Sequence, residues 1–212
     1  EMAVTICRTT YSGVLRDNMD FSTALADADG RMVAQGLTLP GHLGSIPAAL
    51  AVVVERFKDD IGPGDMFIMN DPFDGGMHLP DIFIFQPLFH DGKRVAFAAT
   101  ISHHSDVGGR VPGSNASDST EIYQEGLRIP PLKLFEGGRR NETMWLMIEK
   151  NVRIPIQVLG DLRAQMAACH IAETQFGELL ERYGAEKVAA YMEEVIDYAE
   201  RLTRAAVADL PD

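Results

Sequence analysis

The sequence predicts an α+β fold: antiparallel β-hairpins in the N-terminal two thirds, then a long loop, then a C-terminal helical hairpin. Three observations support this prediction. Apolar runs of strand length flank short turns that contain Asp-Gly. The segment 105–140 is rich in Gly, Ser, Asn, Asp and Pro, which is typical of a loop. In the last part of the chain, apolar residues recur every three or four positions, which indicates helices.

The composition is that of a globular protein. The chain divides into two regions, 1–140 with mixed α and β structure and 141–212 with helices, which we expect to pack as one unit. A chain of 212 residues can bury a sizeable core, and 46% hydrophobic and 24% charged residues are ordinary values. The formal net charge of −12 disfavours nucleic acid and anionic membrane surfaces as partners. No apolar run approaches the roughly 20 residues needed to cross a bilayer.

The first elements of the predicted sheet come from the first third of the chain. A hairpin is predicted over 21–35, because two strand-like runs flank a turn that ends in Asp-Gly. A helix is predicted over 46–57, with Ser45 as its N-cap. The glycines and proline at 62–64 end this segment, and a short buried strand is predicted at 65–69.

A second hairpin is predicted from the strands 82–89 and 94–102, which are joined by the turn His90-Asp91-Gly92-Lys93. The nearly continuous apolar character of both strands indicates burial on both faces. His90 lies in the turn, at the end of the hairpin away from the other histidines, so we expect it to be solvated rather than to bind a ligand.

Two C-terminal helices are predicted over 152–183 and 185–210, with Gly184 as the stop between them. Their apolar residues recur at spacings of three and four, so we expect the two seams to pack against each other. The two cysteines, Cys7 and Cys169, do not resemble a disulfide framework. We expect both to be reduced and packed, which suits a cytoplasmic protein.

Histidines, aspartates and glycines are concentrated at the open end of the second hairpin, in 70–81 before its first strand and 103–109 after its second. If the strands pair, His78 and Asp81 face His103 across one edge of the sheet. Two imidazoles and one carboxylate, among glycines that allow close approach, form a divalent-metal site suited to Zn, Mn or Fe. Asp also bonds its own backbone in turns, so on spacing alone a turn-forming role is equally open.

Several motifs resemble the hydantoinase B/5-oxoprolinase family, which includes the B subunits of ATP-dependent hydantoinases and the large subunits of acetone and acetophenone carboxylases. The most characteristic motif is Gly75-Gly76-Met77-His78-Leu79-Pro80-Asp81-Ile82. Further matches lie at 20–22, 42–45, 64–72, 103–109 and 121–131, in consistent order between about residues 4 and 183. Several motifs of this length are far more specific than a lone glycine pattern.

The resemblance implies that His78, Asp81 and His103 carry a divalent metal, with Zn or Mn preferred and Fe as a third option. It also implies a function: the metal-bearing subunit of an ATP-dependent hydantoinase- or oxoprolinase-type amidohydrolase. Such a subunit would receive a small-molecule substrate, a phosphate-activated cyclic amide, from an ATP-binding hydantoinase A-type partner in a hetero-oligomer. The sequence contains no P-loop or other nucleotide signature, so we expect ATP to bind to that partner.

Three further residues are predicted to act in catalysis at or beside the metal. Asp17 stands where many family members have a glutamate close to the site. His104 and Asp106 follow His103 and could orient the ligands, because a ligating histidine usually donates its second N–H to another group. For Asp106, an equally open alternative is that it starts the turn at 107–109.

Three alternative functions follow from the same residues. One is a subunit of a ketone carboxylase of this family. A non-haem Fe(II) oxygenase also uses two histidines and a carboxylate, but its carboxylate usually follows the first histidine by two residues, and here the spacing is three. A non-catalytic assembly module would dock a partner through its helices and bind no metal.

Family members are much longer than this chain. We therefore expect either a fragment or a reduced relative that needs a partner to complete the site.

Overall fold

The computed structural model describes residues 1–36 and 38–210, and it shows a seven-stranded antiparallel sheet with helices on both faces. The helices are α1 (Met2–Thr9), α2 (Gly13–Arg16), α3 (Pro40–Leu43), α4 (Ser45–Phe57), α5 (Glu142–Asn151), α6 (Pro155–Tyr183) and α7 (Ala185–Ala208). The strands are β1 (Phe21–Asp27), β2 (Met32–Gln35), β3 (Met66–Met69), β4 (Asp81–His90), β5 (Lys93–His103), β6 (Leu132–Glu136) and β7 (Arg139–Arg140). Their order in the sheet is β2-β1-β5-β4-β3-β6-β7. The predicted α+β fold is confirmed.

Both predicted hairpins are present, β1 with β2 and β4 with β5. The longer hairpin, β4–β5, lies at the centre of the sheet. Asp91 and Gly92 form its two-residue turn, and both have positive φ, 49° and 74°, as a type I′ turn requires. His90 ends β4 next to this turn and is partly exposed. Most of β4 and β5 is buried, in agreement with their continuous apolar character.

Each face of the sheet has its own apolar core. On one face, α4 packs against alternate residues of the central strands, including Phe83 and Phe85. On the other face, α5 and α6 pack against the intervening residues of the same strands, including Ile82 and Ile84. Because successive side chains of a strand point to opposite faces, a strand buried on both sides must be apolar throughout. α1 and α2 cover one end of the sheet. There Ile6 of α1 lies in a small apolar cluster beside α6.

Two local predictions were wrong. The segment 105–140, predicted as a loop, contains β6 and β7, which extend the sheet beyond β3. β6 pairs along a buried strand, so its conformation follows from tertiary pairing rather than from local composition. Ser45 is the first residue of α4 and not its N-cap, because Gly44 occupies the N-cap position. The Ser45 hydroxyl instead donates a hydrogen bond to the carbonyl oxygen of His42.

The two C-terminal helices form the predicted hairpin, but the seam of α7 is mostly not buried. Gly184 separates α6 from α7 as predicted. In the described part of α7 only Met192 is buried, whereas Val195, Tyr198 and Leu202 are roughly half exposed. α7 therefore packs on α6 and β2 near its start, and its later turns expose apolar side chains. Among the described residues, no helix combines the length and the apolar character that a membrane span requires.

Candidate functional site

The site lies at one edge of the sheet, where β4 begins and β5 ends. Asp81, the first residue of β4, is directly opposite His103, the last residue of β5. On the other side of β5, the backbone N–H of His103 donates to the carbonyl oxygen of Asp20 at 3.0 Å, one step beyond the pair formed by Phe21 and Ser102. Asp20, His103 and Asp81 therefore stand in one row across three neighbouring strands, and their side chains share a face.

A β-bulge decides which residue faces Asp81. If the register of the residue pairs next to the turn continued along the whole of both strands, Ser102 would lie opposite Asp81. An additional residue in β5, Val95, has no partner in β4 and shifts the register by one. A shift of one residue exchanges the two faces of a strand, so the bulge brings His103 to the carboxylate.

Two further histidines approach the same carboxylate from outside the strands. The turn before β4 brings Nδ1 of His78 within 2.7 Å of Asp81 Oδ2, while Nδ1 of His103 lies 3.2 Å from Oδ1. His42, in α3, places its Nε2 3.7 Å from Asp81 Oδ1 and 3.6 Å from Asp20 Oδ1. The side chain of Asp81 is 1% exposed, so its carboxylate meets three imidazoles inside the protein.

The histidines keep Asp81 ionised. Burial raises the pKa of Asp81, but the contacts with His103, His42 and His78 outweigh burial and hold this pKa well below its usual range. In return, the hydrogen bond to Asp81 raises the pKa of His78 against the opposing effect of burial, and the charges of Asp81 and Asp20 add to that rise. The site therefore presents a carboxylate anion to any cation that enters.

These side chains line an open cavity of about 530 Å³, together with Leu39 and Met77. The ligand atoms of His78, Asp81 and His103 lie within 4.8 Å of one another, which is close enough for one ion to contact all three. His78 is 42% exposed and His103 is 20% exposed, so both imidazoles can be reached from solvent. The structure thus brings together the three predicted metal ligands, and their mixed nitrogen and oxygen donors suit Zn, Mn or Fe.

A buried asparagine holds the loop that carries His78. The side-chain amide of Asn70 donates to the carbonyl oxygens of Leu79 at 2.7 Å and Leu127 at 2.9 Å. Its Oδ1 accepts the backbone N–H of Ile129 at 2.6 Å. Because Asn70 directly follows β3, these three bonds attach the ligand loop to the sheet and limit the positions that the His78 ring can take.

His104, predicted to be catalytic, does not line the cavity. Its Nε2 lies 2.9 Å from Oε1 of Gln165, a residue of α6. His104 is fully buried, and burial lowers its pKa, so the ring is neutral. Since an amide oxygen only accepts, Nε2 of His104 carries the proton. The Gln165 amide in turn donates to the carbonyl oxygen of Ile82 and to the hydroxyl oxygen of Thr100, so Gln165 joins α6 to β4 and β5.

Asp106, the second residue predicted to be catalytic, organises a loop. Its Oδ1 accepts the backbone N–H groups of Gly108 at 2.9 Å and Arg153 at 3.0 Å. Its Oδ2 accepts the N–H of Gly113 at 3.0 Å and the guanidinium of Arg153 at 3.1 Å. Burial raises the pKa of Asp106, but these bonds outweigh it and lower the pKa overall. The geometry agrees with the turn-starting alternative, and Asp106 does not line the cavity.

Asp17, the third such residue, is exposed at the end of α2, where its carboxylate pairs with Arg16. Asp17 does not line the cavity, whereas Asp20, three residues later, does so together with Asp81. The sequence-based prediction therefore missed Asp20, and it also missed His42. Both stand in motifs that match the family, which is the signal that could have found them. Their spacing along the sequence from His78, Asp81 and His103 carries no information, because they belong to separate elements.

Comparison with known proteins identifies the family. The family model described as hydantoinase B/oxoprolinase matches residues 1–212. The chain belongs to this family. The beta subunit of caprolactamase from Pseudomonas jessenii is 40% identical over 212 residues, which cover 100% of this chain and 36% of that protein. The 5-oxoprolinase of Dictyostelium discoideum is 35% identical over 211 residues, which cover 99% of this chain and 17% of that protein.

Solved structures show the same fold. The crystal structure of ATP-dependent caprolactamase from Pseudomonas jessenii matches with a TM-score of 0.94 at 40% identity, over 100% of this chain and 36% of that chain. Nucleotide-free acetone carboxylase matches with a TM-score of 0.87 at 21% identity, over 92% of this chain and 26% of that chain, and this match concerns the fold alone. The present chain thus spans little more than a third of the caprolactamase chain that it matches.

Proposed function

We propose that this chain carries the metal site of an ATP-dependent amidohydrolase that opens a phosphate-activated cyclic amide. The observation that supports this most is the convergence of His78, Asp81 and His103 at one cavity in a member of the hydantoinase B/oxoprolinase family. The substrate class is supported by the names of two relatives, caprolactamase and 5-oxoprolinase, because caprolactam and 5-oxoproline are both cyclic amides.

The residues fit a divalent metal. Asp81 is an ionised carboxylate between imidazoles, and such a group is costly to bury unless a cation or donors compensate its charge. Asp20, next to His103 in the same row, lines the same cavity with a second carboxylate, outside the compact group of three ligand atoms. A divalent metal at this site would supply Lewis-acid polarisation of a substrate oxygen or a water molecule.

The other side chains of the cavity would bind and orient the substrate. His78 is the more exposed imidazole, so it lies on the side from which a substrate enters. Leu39 and Met77 provide an apolar wall, which suits the methylene groups of a lactam ring. His103 and Asp81 lie deeper, and their attachment to paired strands keeps their positions constant while the substrate binds.

We also propose that ATP binds to a separate hydantoinase A-type subunit. The sequence carries no P-loop or other nucleotide signature, so phosphorylation of the substrate needs a second protein surface. The name of the caprolactamase relative, a beta subunit, supports such a division of labour.

The experiment that tests this function starts with metal content. Mass spectrometry of the purified full chain should find about one Zn, Mn or Fe per chain. The double variant His78→Ala/His103→Ala should lose the metal. A control variant with the same number of histidines removed elsewhere, His90→Ala/His170→Ala, should keep it.

The second stage adds the A-type partner and ATP and measures ring opening of hydantoin, 5-oxoproline and caprolactam. We expect turnover of at least one of these cyclic amides, and we expect it to be lost in the His78→Ala/His103→Ala variant. Turnover of a ketone with bicarbonate, and of none of the amides, would favour the carboxylase alternative. A chain that binds no metal after reconstitution with each ion would contradict the proposal and favour the assembly module.

A further inference from the structure

We propose that His42 is a positioning residue: its Nε2–H holds the carboxylates of Asp20 and Asp81 in place for the metal. This inference rests on the proposed metal site and adds a residue to it. His42 contacts both carboxylates at nearly equal distances, 3.6 Å to Asp20 Oδ1 and 3.7 Å to Asp81 Oδ1. The compact group of ligand atoms, within 4.8 Å of one another, consists of His78, Asp81 and His103, and His42 lies outside this group.

The two carboxylates need a common partner because the sheet does not pair their strands. Asp20 precedes β1 and Asp81 begins β4, and β5 lies between these two strands. No ladder hydrogen bond therefore joins the two residues. Like charges that share one cavity also repel each other. The Nε2–H group of His42, 3.6–3.7 Å from an oxygen of each carboxylate, offsets that repulsion by electrostatic attraction and lies between both groups.

The ring of His42 is held in a fixed position between the two carboxylates. It is 2% exposed, and its backbone is bonded on both sides. The backbone N–H of His42 donates to the carbonyl oxygen of Leu39 at 3.2 Å, and its own carbonyl oxygen accepts the hydroxyl of Ser45 at 2.6 Å. The carbonyl oxygen of Leu39 also accepts the hydroxyl of Ser22, which ties α3 to β1. The imidazole therefore has little freedom to turn away.

The surroundings of the ring determine which nitrogen carries the proton. Nε2 faces two carboxylate oxygens, and both can only accept, so the proton must be on Nε2. The other nitrogen, Nδ1, is buried and has no hydrogen-bond partner among the residues that the structure describes. The directional contacts of the His42 ring thus all pass through Nε2, and a variant that keeps a donor at that position should keep the function.

Two amide variants test this directly, because the side-chain nitrogen of Gln falls near the position of Nε2 and that of Asn near Nδ1. The affinity for Zn²⁺ would be measured on the full chain by competition with a chelator of known affinity. Removal of a polar group that positions a metal ligand typically weakens metal binding about 10- to 100-fold, and we expect this loss in His42→Asn. We expect His42→Gln to stay within about threefold of the wild type, since it keeps the donor.

A double-mutant cycle distinguishes the loss of the His42–Asp20 contact from a general loss of stability. Asp20→Asn removes one of the two carboxylates that His42 contacts, so the effect of His42→Asn should be smaller in that background. A loss of affinity that came from general destabilisation would not depend on Asp20. Thermal unfolding of each metal-free variant provides the comparison of stability.

The outcomes separate this inference from the proposed function. Equal affinities of the Asn and Gln variants, whether weakened or unchanged, would overturn the inference. A loss in His42→Asn as large as that in Asp81→Asn would make His42 a direct ligand and would overturn it as well. If the wild-type chain binds Zn²⁺ and only the His42 result is negative, the proposed function stands. If the wild-type chain binds no metal, both fail.

Discussion

Replacing Asp106 by Asn separates a loop-forming role from a catalytic one. The carboxylate accepts two hydrogen bonds at each oxygen, from Gly108 and Arg153 at Oδ1 and from Gly113 and Arg153 at Oδ2. Asn keeps one oxygen and turns its NH₂ group toward two of these donors. Two hydrogen bonds to a charged group are then lost, at roughly 1.5–3 kcal/mol each, so we expect the free energy of unfolding to fall by about 3–6 kcal/mol.

Urea denaturation measures this change, with the slope of the transition as a check that the denatured state is unaltered. Asp118→Asn is a matched control, because Asp118 is 77% exposed in its ion pair with Arg110. For this control we expect a change below about 0.5 kcal/mol. If Asp106→Asn costs less than about 1 kcal/mol and still abolishes activity, our reasoning is wrong and Asp106 acts in the chemistry.

The pH dependence of the same variant follows from the pKa of Asp106, which the fold lowers from its ordinary value of 3.8. A carboxyl with a lowered pKa in the folded state contributes stability that is present above its unfolded pKa. That stability is lost as the pH falls through the folded pKa. The difference in unfolding free energy between wild type and Asp106→Asn should therefore be complete at neutral pH and should shrink below about pH 4.

Two further predictions concern buried side chains on α6. Gln165→Met removes the hydrogen bonds of Gln165 to the carbonyl oxygen of Ile82 and to the Nε2–H of His104, so we expect a loss of about 2–4 kcal/mol in urea denaturation, and a loss below about 1 kcal/mol would contradict this. Burial raises the pKa of the Cys169 thiol to about 12, so a thiol reagent at pH 8 should modify Cys169 only in denaturant. Cys169→Ala is the control, since reaction of the folded protein should then be unchanged and come from Cys7 alone.

The residues of the proposed metal site that could be predicted from the sequence are those that one hairpin brings together. His78 and Asp81 precede β4 and His103 ends β5, so local pairing of two adjacent strands is enough to collect them. Asp20 and His42 could not be predicted in this way, because Asp20 directly precedes β1 and His42 lies in α3, both outside the hairpin. Their arrival at the cavity depends on the order of strands in the whole sheet.

The segments that were predicted wrongly show the same limit. β6 lies in a stretch rich in Gly and Pro, and its strand conformation comes from pairing with β3. The exposed seam of α7 has the apolar spacing of a packed helix, but spacing alone does not say whether a partner covers it. Sequence patterns report the local conformation that side chains favour, and they do not report which distant surface those side chains will meet.

The sequence by itself determined the two hairpins, the helical C-terminal region and the family, because all of these depend on residue identity and on short-range periodicity. Only the tertiary structure decided that Asp20 and His42 also reach the cavity, and only it shows how the predicted His103 comes to face Asp81. Consecutive residues of a strand point to opposite faces, and the unpaired Val95 sets the register that brings His103 opposite Asp81. A register of this kind is a property of two paired strands, so neither strand carries it alone.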